Sequence, residues 1–317
     1  MTKMEMAAQT VVLKCLDIKK DEPVLILANE PLMDIAQILF KAASRRTHKT
    51  HLLQLSHFSH RNGLFDPLTR IMDDFYVIIA VTSPSILHSK IQTGTRGHGP
   101  RIANMPEISN QTFVRLAGAN FIKINRTSQK IKDILSIGKE VKITAPNGTE
   151  LYIPIRQNTG FADTGLLHSP GAFSELPAGE SSIVPDEDKT EGMLVVDCGM
   201  GVNKADRDRL VLTIKEGRIS RISGGVAAQK LRRQLAKYGP QSRNIVKFGI
   251  GTNDAARISG FPLEDKKVRG SIHLAIGNNI SFGGHVNIPI HLESIVYKAT
   301  AEIDGRKILD RGKLVLN

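Results

Sequence analysis

Tryptophan is absent from the chain, and aromatic residues of every kind make up only 5% of it. So few rings leave little to stack on bases, which weighs against a specific nucleic-acid partner. The net charge of +12 would invite such a partner. The basic residues, however, fall as isolated pairs (Lys19-Lys20, Arg45-Arg46, Arg232-Arg233, Lys266-Lys267), where a nucleic-acid surface needs a clustered stripe. Cysteine occurs only as Cys15 and Cys198. Two distant thiols make neither a C-x-x-C motif nor a disulfide framework, which fits a reducing compartment and excludes a cysteine-ligated metal. No run of about 18 apolar residues occurs, and the first twenty residues mix charged with apolar ones where a signal peptide carries an apolar block. The expectation is a cytoplasmic protein with no membrane partner. G-x-S-x-G, P-loop and G-x-G-x-x-G patterns are also missing, so Gly249-Ile250-Gly251 and Gly283-Gly284 read as turn glycines.

What is present suits a globular chain: 317 residues, 41% of them hydrophobic, enough for two domains. Apolar residues at three- and four-residue steps predict helices over 2–17, 35–43 and 66–72. Buried-strand runs at 24–28, 50–55 and 75–81 alternate with them. That alternation predicts an α/β N-terminal domain built on a parallel sheet, residues 1–125. Loops after strand ends carry function in such sheets, which draws notice to Asn29-Glu30-Pro31 and to the 82–101 loop with His88 and His98. His57 and His60 beside Arg61 read as solvated loop residues.

Near Asn125 the pattern changes. After a short helix at 128–137, strands at 141–144 and 151–155 flank Pro146-Asn147-Gly148, a hairpin signal. Strand patterns follow at 193–197, 209–214, 218–223 and 246–250, with one helix at 225–238. At the end, 295–303 reads as one strand pairing with 307–309 across Asp304-Gly305. Residues 126–317 are therefore expected to form an α+β domain rich in antiparallel strands.

The chemistry concentrates in residues 272–296, IHLAIGNNISFGGHVNIPIHLESIV. Side chains two apart on a strand share a face, so His291 and Glu293 project together with Leu292 turned to the core. His273 lies in a similar apolar segment. Two imidazoles and a carboxylate on adjacent strands have the composition of a two-His-one-carboxylate metal site with open positions. The competing reading is a pair of hydrogen-bonded core histidines.

Three blocks, FSELPAGESSIVP (173–185), FGIGTNDAARISGFPLEDKKVRGSIHLAIGNN (248–279) and SFGGHVNIPIHLESIV (281–296), resemble the thermophilic metallo-aminopeptidase family of aminopeptidase T and S, with its shorter relatives; RIANMPEIS (101–109) is similar to those relatives too. The resemblance implies a metal-dependent hydrolase that releases N-terminal amino acids from short peptides, and a homodimer. It carries ligand roles onto His273, His291 and Glu293, the last in place of an aspartate. Glu180 takes the place of the family's first ligand glutamate, as ligand or general base, with Glu175 a less favoured substitute. Two positions depart from the family. Lys247 stands where a second glutamate bridges two metals, and Ile280 where a tyrosine stands. The implied site is thus reduced to one divalent ion per chain, zinc, cobalt or iron(II), with Lys247 orienting an anionic substrate or polarising a carbonyl. His285 is a candidate substrate donor. A related branch resembles 2,5-dihydroxypyridine dioxygenase, a mononuclear iron(II) ring-cleaving enzyme suited by the same triad. The remaining alternative is a small-molecule-binding relative without catalysis.

Overall fold

The computed structural model describes residues 1–55, 65–83, 99–156, 159–202 and 209–316. His57, His60, His88 and His98 lie outside the described residues. Two compact units divide the chain, Met1–Asn125 with Thr164–Ala178, and Arg126–Asp163 with Gly179–Asn317.

In the first unit, five parallel strands form one sheet in the order Thr50–Gln54, Val24–Ala28, Val77–Val81, Arg101–Asn104, Phe173–Glu175. All five residues of Val24–Ala28 and of Val77–Val81 are buried, as expected of parallel strands covered on both faces. Their intervening helices are Met33–Ser44 and Phe65–Met72. The last two strands are short, and Phe173–Glu175 returns from beyond residue 163, so neither stands out as an apolar run. The expected N-terminal helix is α-helical over Lys3–Gln9, opened by a Thr2–Glu5 capping box, and π-helical over Thr10–Cys15. The change falls at Thr10, whose hydroxyl donates to the Met6 carbonyl, a side-chain bond that competes with regular helix.

The second unit holds two sheets dominated by antiparallel pairs. Eight strands form one, in which Glu140–Thr144 pairs with Glu150–Pro154 as the Asn-Gly turn predicts. Six form the other, in the order Cys198–Gly199, His291–Val296, Ile272–Gly277, Ile245–Gly251, Glu180–Ile183, Phe161–Asp163. The single strand expected over 295–303 is in fact two. His291–Val296 belongs to the six-stranded sheet and Thr300–Ile303 to the eight-stranded one. The chain breaks between them at Lys298, which has φ of 54°, a left-handed conformation that no strand continues through.

Alternation assigns the two faces of the six-stranded sheet. Ile183, Phe248, Ile250, Ile272, Leu274, Ile276 and Val296 join the main core together with Val141, Ile153, Leu194 and Leu212 of the eight-stranded sheet. The opposite face carries their neighbours: Phe161 and Asp163, Glu180 and Ser182, Lys247 and Gly249, His273 and Ala275, His291 and Glu293. Register aligns them in rows, Ser182 with Gly249 and His273, then Lys247 with Ala275 and Glu293. One face of the sheet joins the main core and the other gathers the charged and imidazole side chains.

Candidate active site

Lys247 stands at the centre of that second face. Ala275, the small residue between them in the row, lets its ammonium reach Glu293. Lys247 Nζ lies 3.2 Å from Glu293 Oε1, and 2.8 Å from Glu180 Oε1 in the other direction. Between Lys247 and Gly251, the strand partner of Glu180, lies Gly249. A Cβ there would stand 2.2 Å from His273 Nε2, so His273 packs flat over the strand only because the residue is glycine.

Two more lysines arrive from the one-turn helix Pro262–Asp265. Asp265 anchors that turn. Its carboxylate accepts from Ser259 N and Oγ, Gly260 N and the Tyr297 hydroxyl. The following backbone crosses strand Ile245–Gly251 at Gly251, where a Cβ would stand 2.2 Å from the Val268 carbonyl and 2.7 Å from that of Lys266. Lys266 Nζ consequently reaches 2.7 Å from Glu293 Oε2. Lys267 Nζ donates to Asp163 Oδ2 at 2.6 Å and lies 3.4 Å from Glu180 Oε2. Asp163 and Glu180 pair directly across two strands, an arrangement that repels unless a cation stands between them; Lys267 is that cation. Neither lysine was singled out from sequence. Their signal is faint: an adjacent pair straight after the acidic Glu264-Asp265 and just before the IHLAIG strand.

Each imidazole faces a different carboxylate. His273 Nε2 is 3.3 Å from Glu180 Oε2 and His291 Nε2 is 3.7 Å from Glu293 Oε1. His291 pairs with Gly277, four residues along from His273, which is about 13 Å of strand. His291 Nδ1 lies 2.8 Å from the Asn278 carbonyl. A carbonyl only accepts, so Nδ1 carries a proton. His273 is fully buried, and neither of its nitrogens has a hydrogen-bond partner in the described structure. At the open end, the Phe282 ring stacks on His291, with centroids 5.9 Å apart and an angle of 26°. Phe161 meets it edge-on at 6.3 Å, and Lys247 Nζ stands 4.8 Å from its centroid.

Charges decide the protonation states. Burial raises the Glu180 carboxyl, but Lys247, then Lys267, His273 and Lys266 outweigh it and hold the group well below the carboxylate range. Burial also raises Glu293, and Lys266 with Lys247 reverses the effect. Burial pushes His273 down to about 3 against the pull of Glu180, with Lys247 adding to the fall. The native ring is therefore neutral where an unfolded chain's ring, with pKa 6.5, takes a proton. Because the folded value is the lower one, the stabilisation is complete above pH 6.5 and is lost as pH falls toward 3. Urea denaturation at pH 5 should give a stability lower by on the order of 2 kcal/mol than at pH 7.5 from this group. The carboxylates follow below 4.5. His273→Asn should flatten the decline between pH 6.5 and 5; an unchanged slope in that variant would assign it elsewhere.

The sequence resemblance implies a divalent ion among these donors. An unpartnered buried imidazole and the unpartnered Glu180 Oε2 are groups a cation would satisfy. The remaining geometry does not fit one. Among the described residues no three of His, Cys, Asp and Glu gather as a metal site; the expected donors His273, His291, Glu293 and Glu180 share a face without sharing a centre. Between the two half-sites, Glu180–His273 and Glu293–His291, stands the Lys247 ammonium. Three ammoniums already balance the three carboxylates of Asp163, Glu180 and Glu293. A dication about 4 Å from Lys247 would meet a repulsion of about 8 kcal/mol at an effective dielectric of about 20.

His285 does not join this cluster. It is exposed and lines a cavity of about 180 Å³ with Asn244, Asn279 and Arg218, whose walls include none of the charged residues above. Glu175 lies in the parallel sheet of the first unit. Cys15 and Cys198 are buried free thiols; burial, then Asp265, pushes Cys198 up to about 11.

The family described as 2,5-dihydroxypyridine 5,6-dioxygenase (NicX) matches residues 5–316. The 2,5-dihydroxypyridine 5,6-dioxygenase of Pseudomonas putida is 23% identical over 301 residues, covering 87% of this chain and 85% of that protein. The solved structure of 2,5-dihydroxypyridine dioxygenase from Pseudomonas putida KT2440 superposes with a TM-score of 0.84 at 20% identity, over 100% of this chain and 99% of that one. Wild-type AmpT from Thermus thermophilus superposes with a TM-score of 0.74 at 13% identity, over 99% of both chains. The two solved structures share this fold.

Proposed function

We propose, from the premise that this chain belongs to the family of 2,5-dihydroxypyridine 5,6-dioxygenases, that it is an enzyme opening a small hydroxylated aromatic or heteroaromatic ring with dioxygen. The observation that carries the reading is the open end of the site, where one aromatic face, one basic nitrogen and two ammoniums meet. A planar ring suits the Phe282 surface. Its hydroxyl gives a proton to His291 Nε2, the ring nitrogen opposite the Nδ1–H bonded to Asn278. The oxyanion left behind is stabilised by Lys247 and Lys266, whose charges are fixed before substrate arrives. Deprotonation makes the ring electron-rich enough to take up dioxygen, and both oxygen atoms remain in the opened product, so no external reductant is needed. Support for the hydrolase reading is a shared fold alone, and fold does not carry function.

Oxygen uptake tests this directly. Purified protein given 2,5-dihydroxypyridine, and separately a benzene diol, should lose the ring absorbance with one dioxygen consumed per ring, and not under argon. His291→Ala should lower kcat roughly a hundredfold or more. Ring loss without oxygen uptake, or release of amino acids from peptides in its place, would reject the assignment.

A further inference from the structure

We propose that Lys247 is the resident cation of this site, occupying the place a divalent ion would need, so that the protein holds no metal there. The inference deepens the functional reading by assigning the site's positive charge, and it rests on that reading only for where the substrate binds. Four observations carry it. Lys247 Nζ touches both Glu180 and Glu293 at hydrogen-bonding distance and so, among the described residues, links the two half-sites. It is 1% exposed and held on a fully buried strand, so it is a fixed charge and not a surface chain folded inward. Every carboxylate of the cluster already faces an ammonium: Glu180 and Glu293 meet Lys247, Glu293 also meets Lys266, and Asp163 meets Lys267. Counting the imidazoles as neutral, charge sums to zero without an added ion, and a dication would leave two buried positive charges uncompensated. Lysine is a compact point charge, and here it faces the position where a substrate oxyanion would form. It cannot supply open coordination positions, so the chemistry passes to acid and base groups on the chain.

The arrangement is reversible by one residue. Lys247→Glu exchanges the bridging ammonium for a bridging carboxylate, and Glu180, Glu293, His273 and His291 then surround an uncompensated centre with the charge and donors that a divalent ion seeks. Lys247→Gln removes the charge without supplying an anionic donor. All three chains are purified without chelator from metal-supplemented cells. Metal content is read by mass spectrometry, and binding of added Fe(II), Zn(II) and Co(II) by calorimetry and by the melting temperature. The expected result is a wild type carrying no stoichiometric ion, with a melting temperature indifferent to EDTA and to added metal. Lys247→Glu should take up one equivalent and melt higher when loaded, and Lys247→Gln should do neither. A wild type that retains close to one equivalent, released by EDTA with a fall in melting temperature, would overturn the proposal. A Lys247→Glu chain that folds yet binds no ion would overturn it as well. If that variant does not fold, the wild-type measurements still decide. None of these readouts depends on ring opening, so failure here and failure of the dioxygenase reading are told apart.

Discussion

Lys247→Met is expected to destabilise the protein by about 3–5 kcal/mol, the loss typical of leaving one partner of a buried ion pair behind. The side chain is close to isosteric, so little of the loss is cavity. Its weight falls on Glu180. Glu293 keeps Lys266 at 2.7 Å, whereas the ammonium left beside Glu180 among the described residues is Lys267, at 3.4 Å and already committed to Asp163. Urea denaturation should show the midpoint shift at unchanged m-value. Adding Glu180→Gln should then recover part of the loss, since neutralising the stranded carboxylate removes the charge that Lys247 was compensating; the double-mutant cycle should show a coupling of about 1–3 kcal/mol. A destabilisation below about 1 kcal/mol would place Lys247 in water, contrary to its burial.

Gly249→Ala should be nearly as damaging, for a different reason. The backbone there is ordinary strand, so alanine introduces no torsional strain. Its methyl group meets the His273 ring at 2.2 Å from Nε2 and 2.4 Å from Cε1, and the ring has no room to withdraw because it is fully buried. Overpacking of this kind costs about 1–3 kcal/mol, and displacing a ring beside Glu180 by an ångström is expected to cost turnover roughly a hundredfold. The compensating change is His273→Ala. The double variant Gly249→Ala/His273→Ala should regain stability while activity stays low. Full activity in Gly249→Ala would show that the ring's position does not matter to the reaction.

These two residues also mark how far the sequence could be read. Period-two alternation in IHLAIG and HLESIV correctly puts His273, His291 and Glu293 on one side of paired strands, because alternation is a local property of extended backbone. The alternating apolar runs of the first eighty residues predict the parallel sheet on the same footing. Lys266 and Lys267 escaped because nothing local distinguishes a buried lysine pair from a solvated one. What buries them is the close crossing at Gly251 and the Asp265 anchor to Tyr297, thirty-two residues further on. Phe161 and Phe282 escaped for the same reason, being far apart in sequence and brought together only by the tertiary fold. The break at Lys298 was hidden inside a continuous β-rich run, since residues 295–303 all suit a strand and only their partners differ. Sequence thus located the imidazoles. The family resemblance added Lys247, and nothing in the sequence showed that two further ammoniums, Lys266 and Lys267, would stand beside it.

Mounting the site on the reverse of core-forming strands has a consequence for motion. His273 and Lys247 are flanked in sequence by Leu274 and Phe248, both wholly buried in the main core. Strands of this kind open to solvent only in the rarest, near-global fluctuations, so their amides should exchange hydrogen last. The segment bearing Phe282 is different: its neighbours Gly283, His285, Asn287 and Pro289 are exposed, and its one regular turn is the three-residue Ile280–Phe282. On the proposed function, a ligand would meet a charged floor held by the core, beneath an aromatic wall carried by an exposed segment. Discrimination between ring substituents should reside in how that wall settles, while recognition of the oxyanion stays the same for every substrate.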